Sequence, residues 1–71
     1  MWLDKNGSEL HVGDWVRFGL AEGKVLILED WSDLGEHVVR RHGRYGCYVS
    51  NIGQWGDCRT VEASRLVKVD A

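Results

Sequence analysis

Nine glycines and no proline punctuate a chain of 71 residues. Glycine reverses direction without steric cost, so this spacing imposes frequent tight turns. The segments between turns are short and rich in valine, and four tryptophans are present. Branched and aromatic residues in short glycine-bounded runs favour strands over helices. "WVRF" shows the pattern at its clearest. Val16 and Phe18 fall on one face of an extended chain, and Trp15 and Arg17 fall on the other.

The remaining segments are read in the same way. Trp2 and Leu3 lead into a hairpin whose turn is Asn6-Gly7, a strong short-range turn signal. After the first core strand, "WVRFG", and a turn at Gly23, residues 24–31 are expected to run extended. Val25, Ile27, Glu29 and Trp31 would share one side, with Leu26 and Leu28 on the other. Apolar residues on both sides suggest a strand bent between two packing surfaces. "SDLGE" reads as a polar connection and "HVVRRH" as a third strand, with Val38 or Val39 inward. "GRYG" is expected to turn the chain, "CYVSNI" to form a fourth strand, and "GQWGD" to turn again with Trp55 at its tip. "CRTVEA" is the fifth strand, "SRL" one short helical turn, and "VKVD" the closing strand. The expectation is an all-β domain over residues 1–71. It would be a small barrel of five to six short antiparallel strands with an N-terminal hairpin and one helical turn.

Three stretches carry a family resemblance: "VGDWVRF", "EGKVLIL" and "VEASRLVKVD". The chain resembles small SH3-like β-barrel modules of the KOW and Tudor layout, as in many small phage and mobile-element proteins. The resemblance implies a buried Leu66 in the helical turn before the last strand. It implies little about activity, because this barrel hosts many unrelated functions. Gly13, Asp14, Val16 and Arg17 are also similar to the opening of type II dihydrofolate reductases. Those enzymes line a tetrameric pore with Val-Gln-Ile-Tyr. The corresponding "CRTVEA" lacks the glutamine and the tyrosine.

Composition narrows the function classes. The net charge of −2 is a poor basis for a general nucleic-acid binder, which needs a basic footprint. No apolar run approaches the roughly 18 residues of a membrane span, and no basic, apolar-cored leader opens the chain. A cytoplasmic protein is expected. Cys47 and Cys58 read as reduced thiols, with a disulfide or a zinc site as alternatives. No nucleophile elbow, phosphate loop or cofactor motif is present, so no catalytic residue and no cofactor are assigned.

The candidate contact residues are therefore aromatic and cationic. Trp15 and Arg17 share the outward face of the first strand, the residue types that dominate interface energetics. "RRHGRYGCY" places Arg40, Arg41, His42 and Arg44 beside Tyr45 and Tyr48, a hairpin suited to phosphates and bases. Glu29, Asp30, Asp33 and Glu36 surround Trp31 in an acidic counterpart, and the opposite signs of the two segments also allow self-association. Trp55 is either a lid or a presented contact. These residues suggest a non-catalytic interaction module that binds a macromolecule, a protein in preference to a nucleic acid. Its contacts would be Trp15, Arg17, Trp31, Arg40, Arg41, Arg44, Tyr48 and Trp55.

Overall fold

The computed structural model describes residues 1–69. Five antiparallel strands form one sheet: β1 (Trp15–Phe18), β2 (Ala21–Asp30), β3 (Tyr45–Val49), β4 (Arg59–Glu62) and β5 (Val67–Lys68). Their order across the sheet is β4-β3-β2-β1-β5. Residues 21–24 of β2 pair with β1, and residues 25–30 pair with β3. One long strand thus serves two halves of the sheet, and it bends where it passes between them.

The bend corrects one expectation. The register between β2 and β3 shifts between Val25 and Ile27. A bulge adds one residue to one strand and breaks the alternation. Val25 is fully buried, whereas Ile27 lies half exposed and Leu28 turns partly inward. Strict alternation would put Ile27 on the same side as Val25. Elsewhere alternation holds: Val16 is buried, Phe18 packs against the core, and Trp15 and Arg17 face outward.

A second expectation fails. "HVVRRH" is not a strand but most of a short helix, α1 (Glu36–His42). Its signals are polar and local. Glu36 accepts from Arg40 Nη2 at 2.8 Å across one turn, and Arg40, Arg41 and His42 sit at the C-terminal end, where the helix dipole favours cations. Gly43, at φ 94°, stops the helix, and its N–H donates to the Val39 carbonyl. The Val38-Val39 pair suggested a strand, but both are only partly buried on one side of a helix. A 3-10 turn, Trp31–Leu34, precedes it, so Trp31 begins a turn rather than ending a strand. Asp30 caps that turn by accepting from the Ser32 N–H.

The core is one cluster of Leu10, Val16, Val25, Cys47, Val49, Ile52, Val61, Ala63 and Leu66. Leu66 follows a 3-10 turn, Ala63–Arg65, and is fully buried. The sheet does not close into a barrel by strand pairing; β4 and β5 are its two edges.

The edges differ. An N-terminal loop covers β5. Buried Asp4 accepts from the N–H groups of Asn6, Ser8 and Lys68 at 2.9, 2.8 and 2.7 Å. The Lys5 N–H donates to the Leu66 carbonyl at 2.8 Å. The expected hairpin is thus present, with Leu3 bridged to Glu9. Along β4, among the described residues, the backbone bonds only to β3. No helix among the described residues is long and apolar enough to cross a membrane.

Candidate functional site

Ion pairing sorts the arginines into two groups. Arg17 donates to Glu22 at 3.1 Å across the β1–β2 pair, Arg40 pairs with Glu36, and Arg44 donates to Asp30 at 3.3 Å. The acidic segment around Trp31 is therefore partly neutralised within the chain, which removes the simple argument for self-association. Among the described residues, Arg41, Arg59 and Arg65 have no carboxylate partner.

Those three line one cleft of about 320 Å³. Arg41 and His42 enter from the C-terminal end of α1. All four residues of β4 form the other wall, with Arg65 from the turn that follows. Arg59 and Arg65 lie over the Phe18 ring, at 5.2 and 5.1 Å from its centroid. One apolar ring thus holds two like charges close together without neutralising either.

Trp31 joins this cleft to a second of about 330 Å³, whose apolar lining includes Leu34 and Val38. The Trp31 position depends on Gly46, since a Cβ there would clash with the indole ring. The Trp31 Nε1–H donates to Glu29 Oε2 at 3.0 Å, which fixes the ring plane. Glu29 and Glu62 are the carboxylates lining the two clefts, and both are engaged. Glu62 Oε2 accepts from the Ser64 N–H at 2.9 Å and from the Ser64 hydroxyl. The result is a cationic rim beside an apolar slot.

The expected contact residues do not form one surface. Trp31 and Arg41 lie in the groove. Arg40 points away on the exposed side of α1, paired with Glu36. Arg44 lies over Tyr45 at 5.3 Å and is tied to Asp30. Trp15, 47 % exposed, carries Lys24 over its ring at 5.4 Å and stands on the outer face with Arg17. Trp55 is 85 % exposed at its turn, presented rather than folded back. Tyr48 is half buried, and the neighbouring Cys58 thiol, more than burial or Asp57, pushes its phenol above the usual range. The Arg40-to-Tyr48 hairpin does not exist as such, because α1 and β3 divide it.

Arg59 and Arg65 escaped the sequence reading. They lie six positions apart across a turn, and only the shared Phe18 brings them together. Trp2 is structural: its Nε1–H donates to the carbonyls of Gly46 and Glu29, at 3.0 and 3.2 Å, and its ring meets Tyr45 edge-on. Cys47 is buried and Cys58 exposed, and neither is bridged. Burial, followed by the charges of Glu62 and Glu29, pushes the Cys47 thiol up to about 12. No group of three or more His, Cys, Asp or Glu side chains among the described residues converges to hold a metal. No protein-family model, curated protein or solved structure matches this chain.

Proposed function

We propose that this chain is a non-catalytic interaction module of SH3-like layout that binds a protein partner in the groove between α1 and β4. The layout is supported by β5 lying beside β1 and by the buried leucine between the 3-10 turn and the last strand. One observation carries the functional reading: the three arginines that have no carboxylate partner among the described residues line one cleft, and Trp31 is in it. Arginine and tryptophan are the residues most often responsible for binding energy at protein interfaces.

A protein fits better than a nucleic acid. The slot beside Trp31 is walled by Leu34 and Val38, which suit an aliphatic anchor. Glu29 and Glu62 also line the two clefts and would repel a run of phosphates. The whole chain is net acidic. The nucleic-acid reading rests on Trp31 as a stacking platform among arginines, an arrangement also used for single strands.

The test compares two labelled probes by fluorescence anisotropy at low salt: an acidic peptide of alternating glutamate and leucine, and a single-stranded oligothymidine. The peptide should bind more tightly, and Arg41→Ala should weaken it several-fold while Arg40→Ala leaves it unchanged. Tighter binding of the oligonucleotide, lost with Arg41→Ala, would replace this reading with the nucleic-acid one. Binding of neither probe would remove both.

A further inference from the structure

The two sheet edges are treated oppositely by the fold. At β5 the Lys68 N–H donates to Asp4, and the Leu66 carbonyl just before the strand accepts from the Lys5 N–H. β4 has no outer backbone group taken among the described residues, and all four of its residues line the cationic cleft. An open edge is a template for another strand, and folded proteins ordinarily cover or block it. β4 carries no proline and no lysine to do so.

Alternation assigns the chemistry on each side of that edge. Val61 faces the core, opposite buried Cys47, so Arg59 shares its side and lies with Arg65 at Phe18. Thr60 and Glu62 take the other side, where Trp31 rides over Gly46, the residue paired with Glu62. A strand laid against β4 would meet two guanidinium groups on one face and the Trp31 slot on the other.

Resting on the groove reading above, we propose that the ligand is an extended peptide of alternating acidic and apolar residues that adds to β4 as a sixth strand. Main-chain hydrogen bonds to the β4 edge would hold it. Carboxylates toward Arg59 and Arg65, and apolar side chains toward Trp31, would set its register. This is strand addition, in which backbone pairing supplies affinity and alternate side chains supply specificity. Charge selects the occupant, since three arginines without a carboxylate partner among the described residues line the cleft against one carboxylate, Glu62, which is already engaged by Ser64.

The experiment uses the glutamate–leucine peptide and a copy N-methylated at every second residue in the frame that would donate to β4, with a second copy methylated in the other frame. Methylation removes the donors without changing side chains or charge. The expected result is at least a tenfold loss of affinity for one methylated frame and little change for the other. Hydrogen exchange should show new protection of β4 amides with the unmodified peptide. If both methylated peptides bind as well as the parent, and Arg41→Ala still weakens all three, the groove reading stands and strand addition is overturned. If Arg41→Ala weakens none of them, the groove reading itself fails. A dimer in sedimentation, with β4 amides already protected in the free protein, would show that a second copy occupies the edge and would also overturn the proposal.

Discussion

At the residue scale, one buried carboxylate ties the ends of the chain together. Burial raises the Asp4 carboxyl, but backbone donors from Lys68, Ser8 and Asn6 outweigh it and hold it below its ordinary value. Asp4→Ala should cost about 1–3 kcal/mol, since it leaves these donors without their acceptor; urea unfolding would measure it. Asp30 is held down to about 2 by the Ser32 hydroxyl and N–H, then by Arg44. Both carboxyls are lowered on folding, so each contributes stability that is complete above its unfolded value and is lost as the pH falls through its folded value. For Asp30 that window runs from 3.8 down to about 2. Asp30→Asn should flatten the fall of the urea midpoint across it. The thiols give a second check. One alkylation per native chain is expected near neutral pH, at Cys58, and two after denaturation, because buried Cys47 stays protonated. Two rapid alkylations in the native state would contradict the packing of Cys47.

At the scale of elements, the β2 bulge makes neighbouring apolar residues unequal. Val25→Ala should cost about 2 kcal/mol or more, and Ile27→Ala less than about 1, because only Val25 is in the core. Equal losses would mean that the register does not shift. The bulge was invisible in "KVLILED", where every position in the middle is apolar and alternation cannot choose a face. The opposite held for "WVRF", whose alternation correctly separated Val16 from Trp15 and Arg17. The "SRL" turn was legible too, and the resemblance to SH3-like barrels implied the buried Leu66. "HVVRRH" misled for a physical reason. Two adjacent valines favour strand, but the Glu36–Arg40 pair, the basic last turn and Gly43 outweigh them.

At the scale of the whole molecule, aromatic and cationic side chains stood out in the sequence as candidate contacts, but nothing in it told which of them would meet. Arg40, Arg41 and Arg44 looked equivalent in "RRHGRYG". Folding gives Arg40 and Arg44 acidic partners and leaves Arg41 to join Arg59 and Arg65 from the other end of the chain. Pairing of this kind depends on positions far apart in sequence, so no local pattern foretells it. The edges follow the same logic, since β5 is covered by the first residues of the chain and β4 by none described. Trp15 and Trp55 remain exposed outside the groove, and their replacement by alanine should leave peptide binding unchanged. The most direct measurement titrates the acidic peptide against two double variants: Arg41→Ala with Arg65→Ala, and Arg17→Ala with Arg40→Ala. Both remove two positive charges. A loss of tenfold or more confined to the first variant is the expected result; equal losses in both would mean that net charge, and not the groove beside β4, governs binding.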